Sequence, residues 1–284
     1  MPFDTFDARM RDIALKTLTF CKQHYGSNGL KIEQGIDGSI GWSPTFYLKL
    51  TKYRLIAVEV SDNLFPEALK GAAHDIGLYD FPIAVYQSCS LETYQRDPKQ
   101  QKINQLKRSG FGIITVDADG KVTIQSRCIP LAQHISPEQL ENELSTLNPV
   151  LKVEFKRAHE TYLTNEGQGL QEAGQIVEAL VYSIAKQAVH KGKVPASVIK
   201  NKLADTIDEL YATTVFKHHR GALGGARNFV KEYRNTASHA PQSAKAAATK
   251  IKNCRKGFLE AIEIAASLRA VIKAFGLKVK IYTT

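Results

Sequence analysis

The first half of the chain alternates between strand-like and helix-like patterns of hydrophobic residues. Residues 45–50 alternate apolar and polar side chains, whereas residues 55–60 form an almost unbroken apolar run, which is typical of a strand buried on both faces. Further strands are predicted at 82–86, 112–116 and 121–126, and helices are predicted at 4–24, 66–78 and 98–109. Strands that alternate with helices favour an α/β fold with a partly parallel, mixed sheet. We assign residues 1–132 to this domain.

The second half of the chain has a different periodicity, because its apolar residues recur every three or four positions. Helices are predicted at 137–145, 169–191, 195–212, 222–238 and 243–276, and Ser243 is the expected N-cap of the last of them. Near the C-terminus, residues 278–282 alternate as a strand would. The pattern predicts an all-α helical bundle at residues 150–284, which a linker at 133–149 joins to the first domain.

Cysteine spacing and hydropathy indicate where the protein works. The four cysteines, at positions 21, 89, 128 and 254, show neither metal-binding nor disulfide spacing, so we expect free thiols in a reducing compartment. No run of about 18 apolar residues is present, so we expect no membrane span. The acidic N-terminus lacks the apolar core of a signal peptide. We therefore expect a cytoplasmic protein.

Positive charge is concentrated near the C-terminus. Residues 211–284 contain 14 Lys and Arg against 3 Asp and Glu, whereas residues 1–139 contain 16 against 15. A segment with a net charge of +11 favours a polyanionic partner, because each neutralised phosphate releases counterions. We therefore predict that the helical domain binds nucleic acid. The alternative is a basic surface that serves only solubility.

A short polar segment near the end of a predicted helix combines residue types suited to phosphodiester chemistry. Arg234 and His239 lie five positions apart, and Pro241 disfavours helical geometry just after them. On an unbroken helix the two side chains would not share a face, so we expect the helix to loosen here and bring the imidazole towards the guanidinium. Arginine would bind a phosphate and stabilise transition-state charge, and histidine would transfer a proton. Asn235 would position either group.

The segment 234–239, which reads Arg-Asn-Thr-Ala-Ser-His, resembles the motif of the HEPN superfamily, in which Arg, a polar residue and His end a helix of a bundle. The resemblance covers roughly residues 150–284. It implies a metal-independent endoribonuclease that needs no cofactor, acts on RNA and leaves a 2′,3′-cyclic phosphate. It also implies a homodimer in which the motifs of both copies face each other. A further implication is a role as a toxin-like effector in bacterial antiviral defence, with other proteins of the defence system as partners.

Other basic and aromatic side chains near the motif are candidate RNA contacts. They are Tyr233 as a stacking platform, and Lys231, Arg227, His218, His219, Arg220 and Lys245 as phosphate ligands. Two alternatives stay open. In the first, the Arg–His pair only caps a helix end. In the second, the domain binds RNA or a protein partner as a non-catalytic sensor or adaptor.

The first domain resembles the PD-(D/E)XK restriction endonucleases in the order of its elements and in the strand pair that contains Glu59. That family binds Mg²⁺ through an Asp and a Glu and activates water with a Lys. This chain has Thr45 and Ser61 where the Asp and the Lys are expected, which favours an inactive scaffold. The alternative is a metal-dependent DNA endonuclease in which Asp37 joins Glu59 as a Mg²⁺ ligand. The single tryptophan, Trp42, is predicted to pack in the core, with base stacking as the alternative.

Overall fold

The computed structural model describes residues 2–233 and 240–278. These residues form a mixed six-stranded sheet followed by a run of helices, which confirms the α/β class. The chain divides into two compact units. Unit 1 consists of Met1–Pro137 and Pro241–Lys252, and unit 2 consists of Glu138–Ala240 and Asn253–Thr284. The predicted strand at 278–282 lies almost wholly outside the described residues.

The sheet of unit 1 keeps its strands in chain order. The strands are β1 (Lys31–Ile32), β2 (Phe46–Thr51), β3 (Arg54–Val60), β4 (Ile83–Ser90), β5 (Gly112–Val116) and β6 (Val122–Ser126). Strands β3, β4 and β5 are parallel to one another, and the outer pairs are antiparallel. β4 continues to Ser90, beyond its predicted end, because polar residues such as Gln87 and Ser88 are also buried in it.

Helices cover both faces of the sheet in unit 1. They are α1 (Ala8–Tyr25), α2 (Glu67–Leu78), α3 (Leu91–Gln95) and α4 (Gln101–Arg108). The apolar stripe of α1, which includes Ile13 and Leu18, packs on one face of the sheet. The stripes of α2 and α4, which include Leu69 and Leu106, pack on the other face. The parallel strands therefore bury side chains on both faces, which explains their apolar sequences.

Unit 2 consists of helices and connecting turns in its described part. The helices are α5 (Pro137–Leu144), α6 (Pro149–Thr164), α7 (Glu166–His190), α8 (Leu203–Ala212), α9 (Arg220–Tyr233) and α10 (Ala244–Ala274), and 3₁₀ turns occur at Ala196–Val198 and Thr214–His219. The first residues of α10, as far as Lys252, belong to unit 1. Gly169 of α7 allows close packing of α6 on α7, because a Cβ at that position would lie 2.3 Å from the Cα of Tyr162.

Helix α6 is a long element that the hydrophobic pattern does not identify. Its start is well defined, because the Asn148 side chain accepts a hydrogen bond from the N–H of Leu151 at 2.9 Å and Pro149 occupies the first turn. However, Val150 and Val153 are 53% and 64% exposed. Apolar side chains on the solvent side obscure the helical periodicity, so the sequence pattern leaves this segment unassigned.

Candidate functional site

The Arg–His segment follows α9 directly in the sequence. Its three catalytic candidates, Arg234, Asn235 and His239, lie outside the described residues. The described part of α9 ends at Tyr233, so the helix predicted at 222–238 is described only to the residue before the segment. The surroundings of the segment are therefore given by the residues that precede and follow it.

Tyr233 fastens the end of α9 to α10. The residue is 2% exposed, and its hydroxyl donates a hydrogen bond to Glu260 Oε2 at 3.0 Å. Gly257 makes room for the ring, because a Cβ there would lie 2.7 Å from Tyr233 Cδ1. Burial raises the pKa of Tyr233 to about 12, so its hydroxyl remains a donor at neutral pH. This placement corrects the prediction of a stacking platform: Tyr233 is a core residue and offers no ring face to RNA.

The chain that follows the segment is held by a helix cap. Ser243 Oγ accepts a hydrogen bond from the N–H of Ala246 at 3.1 Å, which confirms Ser243 as the N-cap of α10. Within unit 1, the carbonyl of Gln242 accepts a hydrogen bond from the Tyr53 hydroxyl at 2.7 Å. Lys245, a candidate phosphate ligand, is exposed in the first turn of α10. In the sequence, the Arg–His segment thus lies between Tyr233, which is hydrogen-bonded to Glu260, and Ser243, which caps α10.

Arg227 forms an ion pair that joins α9 to α8. Its Nε and Nη2 atoms donate to the two carboxylate oxygens of Asp208 on α8, at 2.7 and 2.8 Å. The hydrogen bond between these side chains lowers the pKa of Asp208 and raises that of Arg227. Asp208 thus engages two donors of a guanidinium that stays at the surface, since the side chains of Arg227 and Asp208 are 39% and 52% exposed. The role of Arg227 as a phosphate ligand stays a prediction. Lys231, one turn further along α9, is exposed.

The basic residues around the start of α9 have different environments. His219 packs edge-on against Phe275, with the ring centroids 5.4 Å apart, whereas His218 is exposed. Arg220 Nε donates to the carbonyl of Tyr211 at 3.1 Å, and its guanidinium carbon lies 5.2 Å from the centroid of the Tyr211 ring. Of these three candidates, His218 and Arg220 are exposed to solvent, and His219 is partly covered.

Glu59, near the end of β3, accepts hydrogen bonds from neutral groups. Trp42 Nε1 donates to Glu59 Oε2 at 3.1 Å, and the backbone N–H of Thr45 also donates to the carboxyl group. The hydroxyl of Thr45 accepts a hydrogen bond from the N–H of Val60 at 3.0 Å. Burial raises the pKa of Glu59 to about 7, although the two hydrogen bonds favour the carboxylate. Trp42 is 5% exposed, which confirms its predicted place in the core.

The two acids of the alternative metal site have separate partners. Asp37 accepts hydrogen bonds from the N–H and the hydroxyl of Ser39, at 2.9 and 2.7 Å. These bonds, together with one from Tyr79, hold the pKa of Asp37 below its usual range. Within the described part of the chain, no three His, Cys, Asp or Glu side chains are grouped as metal ligands. Because N–H donors face Glu59 where Mg²⁺ would require oxygen atoms, the residues present do not fit the Mg²⁺ site that the endonuclease resemblance implies.

Gln87 is a further polar residue of this region, which the sequence analysis did not identify. It is fully buried and is the partner of Glu59 across the parallel β3–β4 ladder. Its Nε2 donates to the carbonyls of Ser61, Asn63 and Ser88, at 3.3, 3.3 and 3.2 Å. Its Oε1 has no hydrogen-bond partner among the described residues. The signal in the sequence is a polar residue that directly follows the apolar run of β4.

Comparison of the chain with protein-family models, with curated proteins and with solved structures gives no match. Among the helices of the described residues, none is both long enough and apolar enough to cross a lipid bilayer. The assignment of function therefore depends on the residue types and contacts given above.

Proposed function

We propose that the protein is a metal-independent endoribonuclease with Arg234 and His239 as its catalytic residues and Asn235 as a positioning residue. The helical unit is proposed to be HEPN-like and the sheet unit to be an inactive scaffold of the PD-(D/E)XK type. The protein is further proposed to act in the cytoplasm as a homodimeric effector of bacterial antiviral defence. This role comes from the resemblance of segment 234–239 to the HEPN motif.

The observation that carries the proposal is the anchored end of α9. Tyr233, which directly precedes Arg234 in the sequence, donates a hydrogen bond to Glu260 and packs on Gly257. Catalytic groups must be held within about 0.5 Å of their productive geometry, and this requires support from packed residues behind them. The buried Tyr233 fixes the chain at the position that directly precedes Arg234 in the sequence. The contact therefore favours an active site at this helix end.

The distribution of charge supports RNA as the substrate. The segment 211–284 has a net charge of +11, and it contains the exposed side chains of His218, Arg220, Lys231 and Lys245. Phosphate groups that bind such side chains release counterions, which favours association at low salt. Residues 1–139 lack this excess, since they hold 16 Lys and Arg against 15 Asp and Glu. The lysines of Pro241–Lys252, including Lys245, belong to unit 1.

The proposed reaction transfers the phosphorus from the 5′-oxygen of one nucleotide to the 2′-oxygen of the nucleotide before it. His239 in its neutral form accepts the 2′-hydroxyl proton as the 2′-oxygen attacks phosphorus. The bond from phosphorus to the 5′-oxygen breaks, and the leaving oxygen takes a proton from the protonated His239 of the second copy. Arg234 donates two hydrogen bonds to the non-bridging oxygens, whose charge builds up in the transition state. The products are a 2′,3′-cyclic phosphate and a 5′-hydroxyl.

The proposal is tested by cleavage of a labelled single-stranded RNA in excess EDTA. We expect the wild-type protein to cleave, and Arg234→Ala and His239→Ala each to lower the rate by about 100-fold or more. Glu59→Ala is the control, because it removes the acid of the other candidate site. Melting curves of all variants check that each protein is folded.

Each other outcome favours a different function. Loss of cleavage in EDTA or in Glu59→Ala would favour the metal-dependent endonuclease. Full cleavage by both motif variants would contradict the proposed roles of Arg234 and His239. RNA binding without cleavage by the wild-type protein would favour the sensor or adaptor.

A further inference from the structure

We propose that Tyr211 and Arg220 form a stacking platform for single-stranded RNA on unit 2. The platform consists of the exposed surface of the Tyr211 ring and the guanidinium of Arg220, which lies over one face of that ring. The inference rests on the proposed function only in naming RNA as the ligand. It assigns base stacking to Tyr211 in place of Tyr233, which is buried.

Tyr211 is held against α9 by Arg220, the first residue of that helix. Arg220 Nε donates to the Tyr211 carbonyl at 3.1 Å, and the guanidinium carbon lies 5.2 Å from the ring centroid. One turn later, Gly224 leaves space at the ring edge, because an added Cβ there would still lie 3.8 Å from Tyr211 Cε2. Although α9 supports the ring in this way, Tyr211 remains 43% exposed. A supported ring loses little conformational entropy when a base stacks on it.

Positively charged groups lie close to the platform in sequence. Lys217 and His218, in the 3₁₀ turn that leads into α9, are exposed. Proteins that bind single-stranded nucleic acid combine an aromatic ring for the bases with basic side chains for the phosphates. In duplex RNA the bases are stacked on each other and are not free to stack on a side chain. The combination therefore fits a single strand better than a duplex.

The length of α9 sets the distance between the platform and Tyr233, the residue that precedes the Arg–His segment in the sequence. The 14 residues of α9 rise about 20 Å from Arg220 to Tyr233. A stacked strand rises about 3.4 Å per nucleotide, so this distance corresponds to roughly six nucleotides. A stacked strand that contacts the platform and also reaches Tyr233 in the same subunit must exceed that length. The KM of shorter substrates should therefore not depend on Tyr211.

The experiment measures the Kd of a labelled RNA of about 12 nucleotides, a length within the usual site sizes for single strands, by fluorescence anisotropy. All variants carry His239→Ala, so that the RNA is not consumed. We expect Tyr211→Ala to raise Kd about tenfold and Tyr211→Phe to bind like the parent. Leu163→Ala, which alters another exposed apolar residue of unit 2, is the matched control and should bind like the parent. Arg220→Gln should reduce the magnitude of the slope of log association constant against log salt concentration by about one.

Two results would overturn the platform: an unchanged Kd in Tyr211→Ala, or an equal loss of affinity for a duplex of the same sequence. Melting temperatures show whether a loss of RNA affinity in Tyr211→Ala comes from unfolding. If it does, the Kd of Tyr211→Phe is compared with that of Tyr211→Leu, because both side chains fill the site and only the phenylalanine ring can stack on a base. Failure of the proposed function gives a different result, since a wild-type protein that does not cleave RNA still shows a Kd that depends on Tyr211. If cleavage occurs, Tyr211→Ala should raise KM for the long RNA and not for one of about four nucleotides.

Discussion

Each unit contains a glutamate that accepts a hydrogen bond from an aromatic side chain, and the two glutamates have different surroundings. In unit 1, Glu59 accepts from the indole of Trp42, and burial raises its pKa to about 7. In unit 2, Glu260 accepts from the hydroxyl of Tyr233, and the ammonium of Lys256 lies 5.8 Å from the same ring. Neutral donors thus surround the first carboxyl group, whereas a cation lies close to the second contact.

The two hydrogen bonds between an aromatic side chain and a glutamate thus have different consequences in the two units. In unit 1 the acid lies near the end of a parallel strand, where a metal-dependent nuclease would bind its ion, yet its carboxyl group accepts hydrogen bonds from Trp42 and from the backbone of Thr45. In unit 2 the contact fastens the residue that precedes the Arg–His segment. A resemblance of fold alone would direct attention to the first site, but function must be argued from the chemistry of a site. We therefore base the proposed function on the residue types of the second site.

The largest predicted effect concerns the anchor at the end of α9. Tyr233→Ala should lower the free energy of unfolding by about 3–5 kcal/mol, because it leaves a cavity where a buried ring was. Tyr233→Phe keeps the ring and loses the hydrogen bond to a carboxylate, so it should cost about 1.5–3 kcal/mol. Urea unfolding followed by far-ultraviolet circular dichroism measures both values. An alanine variant as stable as the wild type would show that Tyr233 is no anchor.

A second predicted effect is a loss of stability of unit 1 with rising pH. The folded pKa of Glu59, about 7, lies above its ordinary value of 4.5, so the folded state holds this proton more tightly than the unfolded state. The stabilisation is complete below pH 4.5 and is lost as the pH rises through 7. Its size is at most about 3 kcal/mol, because Glu59 keeps some contact with solvent. Urea unfolding followed by the fluorescence of Trp42, the single tryptophan, reports on unit 1.

Glu59→Gln is the matched control for this prediction, because the amide has the shape of the acid and does not ionise. The difference in unfolding free energy between the wild type and this variant should fall between about pH 5 and 8. A difference that stays constant over this range would contradict the burial of an ionisable carboxyl group at Glu59.

The smallest predicted effect compares two glycines. In Gly257→Ala the new Cβ would lie 2.7 Å from Tyr233 Cδ1 and 3.1 Å from Leu170 Cδ1, so side chains must move. Overpacking costs about 1–3 kcal/mol and the gain in helix propensity is about 1 kcal/mol, so we expect a net loss of roughly 1 kcal/mol. Gly221→Ala, whose Cβ meets no atom within 4 Å, should stabilise the protein by up to about 1 kcal/mol. Equal signs for the two variants would contradict the tight packing of Tyr233 on α10.

The elements of unit 1 could be predicted from the sequence because burial on both faces leaves a local signature. The apolar runs of β3 and β5 and the alternation in β2 each need only a few consecutive residues to be recognised. Local chemistry also predicted the cap at Ser243 and the core position of Trp42. Helix α6 was not recognised, because Val150 and Val153 are exposed and interrupt its pattern.

The roles of single side chains in unit 2 could not be predicted in the same way, because their partners are distant in sequence. Tyr233 is buried through Gly257 and Glu260, and Arg227 is engaged by Asp208, which precedes it by 19 residues. An aromatic or basic residue near a helix end has the same sequence signal whether it faces solvent or a neighbouring helix. Residue type thus gives the expected chemistry of the candidate site, and packing shows that Tyr233 is not exposed to a ligand.

The chemical ends of the cleaved RNA test the central claim most directly. If Arg234 and His239 direct the 2′-hydroxyl onto phosphorus, cleavage in EDTA must leave a 2′,3′-cyclic phosphate and a 5′-hydroxyl, and a substrate that lacks the 2′-hydroxyl at the cleaved position must remain intact. Mass spectrometry of the fragments identifies these ends. Fragments with a 3′-hydroxyl and a 5′-phosphate, or cleavage of the 2′-deoxy substrate, would contradict the account, because attack by the 2′-oxygen cannot produce either result.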